Sequence, residues 1–584
     1  MAAKPLSLKR EKARRTARSG TFAVIAEVLI DHELTHLDQS FTYGVPEEVQ
    51  SSLTVGSIVR VPFNRNEIDG VVIKVRSNDA GTFKPISKIM RPAAYSENAI
   101  KLATEVARRY ATSTVKILKS FEKADGKLSH ERDTPKPKVR RVFIPESAKT
   151  IAELSERIKE SLGSFLLLAP TLRESTELRD ALVKTLGERA IAYEQWQEQP
   201  GSERINHVII GLRSAIFAQA ADLVEIIIFD EGSEHYWERR SPHWNSRDVA
   251  LLRSQLESLS ITFISGSPSA EIARLIDSNY LVGVKAGKQF MKRRRFTNAP
   301  DTYHRAIRTG IQKGSVLVSV ASKSYINSFA CKRCNTRPKC ECGFPLKMQT
   351  QKQISCSICA NTNVQLRCQE CNGVEFIALA KGIERVKEEF GKSFPNTPIF
   401  VSTAEREVTT FPPHSIVIST PGVEPRSVRY EGLVLLDGVS RMNRPTLRSE
   451  EELTNHWLRL VALTTEESSV YVSLPASNRI SQALISANPY RFTSSLLRER
   501  KDTKLPPFYR VIKVKGEALS TLAEKIISEF AGVEISKISK SGELIIRAEV
   551  GISKEVIGAL YSLSKYRAVS SKKYLEIEID PHDI

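Results

Sequence analysis

The sequence predicts a multidomain α/β protein. It should comprise a β-rich N-terminal domain, two α/β lobes separated by a cysteine-rich insertion, and a C-terminal α+β domain. Three observations predict it. The chain has 584 residues, which at ~150 residues per domain is about four domains. Buried-strand runs alternate with helical stretches on both sides of a central segment. All eight cysteines fall inside that segment, between Cys331 and Cys371. Hydrophobic residues make up 41% and charged residues 26%, a balance that supports sizeable cores and excludes wholesale disorder.

The first 20 residues, MAAKPLSLKREKARRTARSG, are basic. No apolar stretch follows them, so they read as a solvated, disordered tail and not a secretory signal. Residues 21–95 alternate apolar and polar positions between turn signals (FAVIAEVLID, SFTYGVP, GSIVRVPF, DGVVIKV), the pattern of a small β domain. Residues 96–141 hold a short helical segment, winged-helix-like, and then a polar linker with two prolines. Residues 142–325 carry SFLLLAP, HVIIGL, VEIIIFD and ITFISGS, the strands of a parallel-sheet lobe. Residues 326–376 are the insertion. Strand runs return over 377–500 (PIFVST, SIVIST, LVLLD, SVYVSL) as a second lobe. Residues 501–584 read strand–helix–strand–strand–helix–strand. No apolar run approaches the ~18 residues that span a bilayer.

Lysine and arginine number 86 against 67 aspartates and glutamates, a formal charge of +19. Basic runs such as Lys292-Arg293-Arg294-Arg295 add to a whole-chain excess that points to a polyanionic partner. Nucleic acid is the leading class. An anionic membrane ranks far behind, because no amphipathic anchor is evident.

The cysteines are ordered Cys331-x2-Cys334, Cys340-x-Cys342, Cys356-x2-Cys359 and Cys368-x2-Cys371. Three pairs have the knuckle spacing that aims two thiolates at one tetrahedral ion, and zinc takes four such ligands. Eight thiolates make two closed sites with no open position for water, so the two zincs should be structural. With the thiolates and both ions counted, the formal charge falls to about +15. The Cys340-Glu341-Cys342 pair is one residue short of a knuckle. Spacing alone does not fix which pairs share an ion, although a nested arrangement is sterically easier.

Two α/β lobes raise the question of a nucleotide motor. A phosphate loop requires G-x-x-x-x-G-K-[ST]. The only Gly-Lys-Ser is Gly391-Lys392-Ser393, and Val386 stands where its first glycine should be. GIERVKEEFGKSFP reads as a helix running into that triplet. The strand Ile226-Ile227-Ile228-Phe229 followed by Asp230-Glu231 resembles a metal-holding acidic motif, a remnant at most without a phosphate loop.

Several segments resemble the primosomal protein N′ family of replication restart helicases over nearly all of residues 22–584, and most of all its actinobacterial branch with decayed helicase motifs. Phe41-Thr42-Tyr43 with Val45-Pro46 resembles F-D-Y-x-V-P, and Arg60-Val61-Pro62-Phe63 with Arg65 resembles R-V-P-F-G-R. Gly211-Leu212-Arg213-Ser214-Ala215-Ile216-Phe217 resembles G-T-R-S-A-L-F, and Gly382-Ile383-Glu384-Arg385-Val386 resembles G-T-E-R-V. Arg247-Asp248-Val249-Ala250 with Arg253, and Pro506-Pro507-Phe508, also match.

The resemblance implies a 3′-end DNA-binding domain in which Phe41 and Tyr43 stack on the terminal base, a contact worth ~1–3 kcal/mol, with Arg60 and Arg65 on DNA. Thr42 stands where the family has aspartate, so end recognition should be looser. Nested zincs are implied: Cys331, Cys334, Cys368 and Cys371 hold one, and Cys340, Cys342, Cys356 and Cys359 the other. The phosphate-loop segment expected before Phe165-Leu166-Leu167-Leu168 is missing. D-E-E-H is Asp230-Glu231-Gly232-Ser233, and G-S-A-T-P-S is reduced to Ile264-Ser265-Gly266-Ser267-Pro268-Ser269. The Q-x-x-G-R-A-G-R segment falls near LVALTTEESS, without an arginine.

The expectation is therefore a cytoplasmic, nucleoid-associated protein with two degenerate helicase lobes and two zinc ions per chain. It would bind branched or forked DNA and single-stranded DNA. It would recruit primosome proteins and the replicative helicase or its loader, without hydrolysing ATP. The enzyme alternative is an active ATP-dependent 3′-5′ helicase of the same family. A zinc-ribbon transcription or translation factor would not need two decayed motor lobes.

Overall fold

The structure is a computed structural model. It describes residues 19–77, 81–123, 139–147, 149–201, 203–284, 294–299, 302–321, 326–334, 336–341, 346–348, 354–356, 361–362, 366–442, 444, 446–536, 542–570 and 573–582. The basic tail up to residue 18, Lys292 and Arg293, most of the linker, Cys342 and Cys359 lie outside the described residues.

The N-terminal domain is a five-stranded antiparallel sheet. Its strands are β1 (Val24–Ile30), β2 (Ser40–Gly44), β3 (Ile58–Phe63), β4 (Asn66–Ser77) and β5 (Lys88–Arg91), in the order β2-β1-β4-β3-β5. Alternation places Ala26, Val28, Tyr43, Val59, Val61 and Val72 in one apolar cluster. Two helices follow, α1 (Glu97–Arg109) and α2 (Thr114–Leu118). Ser96 caps α1 by accepting from the Ala99 N–H. Leu102 and Val106 of α1 share a core with Phe217 and Trp244 of the first lobe. Gln219 ties the helical segment down, donating to Ala94 O and Glu122 O and accepting from Ser96 N–H. Residues 96–123 are thus docked on the lobe.

Lobe one is an all-parallel sheet of β6 (Arg141–Pro145), β7 (Ser164–Leu168), β8 (Ala190–Ala192), β9 (Val208–Gly211), β10 (Leu223–Phe229), β11 (Ser260–Ser265) and β12 (Val282–Gly283). Its order is β8-β9-β7-β10-β11-β6-β12. The helices α3 (Thr150–Lys159), α4 (Leu172–Leu186), α5 (Ser246–Leu256) and α6 (Ala270–Asp277) flank it. Its strands read as continuous apolar runs because both faces are covered.

Lobe two begins earlier than the boundary expected at 325. Strands β13 (Arg295–Thr297) and β14 (Val316–Ser319), with α7 (Thr302–Lys313) between them, belong to its sheet. β14 lies inside that sheet, pairing in parallel with two strands from beyond the insertion. The insertion is a small antiparallel sheet, β15 (Ile326–Cys331), β16 (Leu346–Met348), β17 (Ile354–Cys356) and β18 (Phe376–Lys381), ordered β17-β16-β15-β18. After α8 (Ile383–Ser393), strands β19 (Ile399–Ser402), β20 (Ile416–Ser419), β21 (Tyr430–Leu435) and β22 (Thr464–Val472) complete the order β13-β22-β21-β14-β20-β19. Gly391-Lys392-Ser393 is the last turn of α8, so that triplet is no phosphate loop. Helices α9 (Ser449–Ala462) and α10 (Pro489–Asp502) follow.

The C-terminal domain has β23 (Tyr509–Lys515), α11 (Leu519–Glu529), β24 (Val533–Ile535), β25 (Glu543–Glu549), α12 (Val550–Val569) and β26 (Glu576–Ile579), with sheet order β24-β25-β23-β26. It packs back on the N-terminal domain. Asp38 accepts from Tyr561 Oη at 2.7 Å and from the Thr114 N–H at 3.3 Å, and Lys565 Nζ donates to its carbonyl at 2.8 Å. Among the described residues, no helix is long and apolar enough to cross a membrane.

Candidate nucleic-acid surface, interlobe crevice and metal centre

On β2, Phe41 is half-buried and meets the Phe63 ring edge-on, with centroids 5.3 Å apart. Tyr43 points the same way but lies deeper, 4% exposed, in register with Ala26, which in turn pairs with Val75. Its hydroxyl donates to Pro62 O at 3.4 Å, and burial raises its pKa. Tyr43 is therefore a core residue, and the expectation that it stacks on a base is corrected: the neighbouring strands already cover its ring. Thr42 is one position over, so it takes the opposite face, in register with Glu27 and then Lys74. Arg60 is half-exposed but already engaged. It faces Asp69 across the β3–β4 ladder, with Nε 2.8 Å from Oδ1 and Nη2 3.2 Å from Oδ2. Arg65 is exposed in the β3–β4 turn.

Open parallel sheets hold ligands in the crevice beyond the carboxyl ends of their strands. At that edge of lobe one stand Glu146 after β6, Glu174 in the first turn of α4, Asp230 and Glu231 after β10, and Gly266-Ser267 after β11. The β6–α3 turn is Glu146-Ser147-Ala148-Lys149, with no glycine. Lobe two fills the crevice with α9. Arg459 places Nε 2.6 Å from Glu146, Nη2 2.6 Å from Glu174 and Nη1 2.9 Å from Asp230. Burial works against that guanidinium's charge, but the three carboxylates outweigh it and hold its pKa well above the ordinary value. Burial would likewise raise Glu174, yet Arg459 and Arg426 bring it down to about 2.

The segment LVALTTEESS carries no arginine, but the residue just before it is one. Arg459 enters the crevice from just upstream of LVALTTEESS, and the Asp230 remnant is one of its partners. Glu231 is fully buried. It accepts from Ser269 N–H at 2.7 Å and from Ser269 Oγ at 2.8 Å, and burial pushes its pKa up to about 7 despite Arg247 at 3.7 Å. The space left beside Arg441 and Arg444 is a cavity of about 290 Å3, at the lower end of the ~300–1,000 Å3 of ligand pockets. Across Arg459, a groove of about 860 Å3 between α3, α4 and residues 407–429 carries charges of both signs.

In the insertion, the sulfurs of Cys331, Cys334, Cys368 and Cys371 lie within 4.8 Å of one another. Cys331–Cys371 and Cys334–Cys368 are 3.5 and 3.4 Å apart. Four thiolates on a tetrahedral ion with ~2.3 Å bonds sit ~3.8 Å apart, so the set could hold a metal ion. Each knuckle turn is closed by backbone bonds, Cys331 N–H to Thr336 O and Cys368 N–H to Gly373 O. A Cβ on Gly373 would lie 3.1 Å from the Cys331 sulfur and 3.3 Å from that of Cys371, so the ligand loop needs glycine there. Of the inner set, Cys340 and Cys356 are buried in one cluster with Phe329 and Leu346.

The fold and these sites define a multidomain α/β protein with an N-terminal antiparallel β module, two parallel-sheet lobes and a four-cysteine cluster that could hold a metal ion. Residues 27–121 match the family described as the PriA 3′ DNA-binding domain (3′BD). The chain is 26% identical over 561 residues to proteins of Mycobacterium bovis and Mycobacterium tuberculosis, each named probable replication restart protein PriA. The match covers 83% of this chain and 85% of each relative. A replication restart protein PriA of Haemophilus influenzae is 24% identical, over 56% of this chain and 50% of its own. The resemblance to the replication restart family read from the motifs thus extends over most of the sequence. Among solved structures, an NS3-like helicase from Alongshan virus matches at a TM-score of 0.32 and 13% identity, covering 59% of this chain and 74% of its own. The lobe architecture rests on the sheet topology described above.

Proposed function

We propose that this protein is a replication restart scaffold. It binds branched or forked DNA through its N-terminal domain and recruits primosome proteins and the replicative helicase or its loader, in the cytoplasm, without hydrolysing ATP. The observation that carries this reading is Arg459, bonded to Glu146, Glu174 and Asp230 where phosphates would need amides and a lysine. A carboxylate in the first turn of α4 and another after β6 repel the very groups a motor must hold. Phe41 and Arg65 remain as contacts for DNA, while Thr42, Glu27 and Lys74 lie on the opposite face of the sheet from Phe41.

Two zinc ions complete the proposal. Cys331, Cys334, Cys368 and Cys371 hold one. Cys340 and Cys356, with Cys342 and Cys359, hold the other. Closed four-thiolate sites are structural, fastening the insertion between β14 and β19. The deciding experiment is DNA-stimulated ATP turnover by the purified full chain. Background turnover on forked DNA is expected. Turnover of ~1 per second or more, lost in Asp230→Asn, would restore the active helicase reading.

A further inference from the structure

We propose that α9 is a built-in latch that closes the two lobes on each other through protein contacts alone, an inference that rests on the scaffold reading. Arg448, the cap residue of α9, and Glu451, Asn455 and Arg459 within it follow one another at spacings of three, four and four, so they share one face. Each of the four bonds lobe one. Arg448 pairs with Glu271 of α6 at 2.6 Å. The Ala270 N–H donates to Glu451 Oε2 at 2.8 Å. The Gly266 and Ser267 N–H groups donate to Asn455 Oδ1 at 2.9 and 3.2 Å, while its amide nitrogen donates to Asp230. Arg459 ends the row on its three carboxylates.

The latch therefore satisfies the backbone donors after β11 and the carboxylates after β6 and β10. Those groups would otherwise be free to take a ligand at the sheet's carboxyl edge. A second tie, Arg173 of α4 donating to Gly422 O and Glu424 O at 2.8 and 2.9 Å, spans the same two lobes.

Gly266 shows how closely the helix is seated. A Cβ there would lie 2.6 Å from the carbonyl of Asn455 and about as tightly against Arg459, at 3.0 Å from its Cγ. The glycine's φ is not left-handed, so only the approach of α9 calls for the missing side chain. Gly266→Ala is accordingly a wedge driven between the lobes at one point, with neither sheet touched.

Hydrogen exchange on the full chain tests this, with and without millimolar ATP and Mg2+. In the wild type, amides of α9 and of 266–270 should be slow and unchanged by ATP. Gly266→Ala, and independently Arg459→Met, should each raise exchange there by about tenfold or more, with β7, β10, β14 and β21 still slow. Arg459→Met keeps the stem packing, so it serves should the wedge prevent folding. Three results overturn the latch: wild-type α9 exchanging as fast as an exposed helix, ATP altering its protection, or either folded variant keeping wild-type protection. ATP hydrolysis by the wild type would sink the scaffold reading, whereas a fast-exchanging α9 without hydrolysis sinks the latch alone.

Discussion

Single side chains in this protein are set by burial and by the partners burial leaves them. Glu231 illustrates the sign. Its pKa rises from 4.5 to about 7 on folding because its charge is desolvated. The folded state then binds more protons than the unfolded one between those values, so its contribution to stability falls as pH rises from about 4.5 to about 7. Glu231→Gln keeps an acceptor for the Ser269 N–H and removes the charge. It should raise stability by up to about 3 kcal/mol at pH 8 and change little at pH 5, which paired thermal melts will show; equal effects at both pH values would refute it. At the DNA face, Phe41→Ala should reduce preference for a 3′ end without altering the salt dependence of binding. Arg65→Ala should weaken every DNA and flatten the log–log salt slope by about one. Tyr43→Ala is predicted to cost about 3–5 kcal/mol of stability, because its ring is core; an unchanged melt would return it to the surface.

At the scale of elements, the parallel strands were legible because each is a continuous apolar run buried on both faces. The cysteine insertion was legible because knuckle spacing is a local signal. Two things were not. Alternation placed Phe41 and Tyr43 on one side of β2 but could not say how deep each lies, since depth depends on β1 and β4. Arg459 escaped notice because its partners are hundreds of residues away, in another lobe. Its only sequence trace is the stripe Arg448, Glu451, Asn455, Arg459 along α9. Val316–Ser319 was assigned to the wrong lobe for the same reason, its pairing partners lying beyond the insertion. The insertion's own stability should come from metal. Cys368→Ser should release one of two zinc ions and loosen residues 331–371, leaving the flanking sheets folded. Elemental analysis of the wild type giving one ion or none would refute the pair.

Across the whole molecule, ion pairs within and between units form one chain from α1 through both lobes to α10. Arg109 bonds Asp248 of α5, Arg247 bonds Glu271, Glu271 bonds Arg448, and Arg500 of α10 bonds Glu451. Three carboxylates of these bridges are held down by their arginine partners, whereas burial pushes Asp230 and Glu451 up. Asp248 lies well below its usual range, and so does Glu271, while Glu174 sits at about 2. Depressed carboxylates give stability that is fully present above about pH 4.5 and lost as pH falls toward 2. The cysteine ligands behave differently, because thiolates take up protons and release metal at milder acidity. The strand cores are built mainly of apolar side chains, which do not titrate. Acidification should therefore act in order. Any metal held by the cysteines should leave first. The lobes and α1 separate next, as pH falls below about 4 and Glu174, then Glu271 and Asp248, take protons. The sheets persist past that point. A zinc indicator, small-angle scattering and far-ultraviolet circular dichroism report the three events. Expansion coinciding with loss of sheet signal, or appearing already at pH 5, would mean that these bridges do not hold the units together.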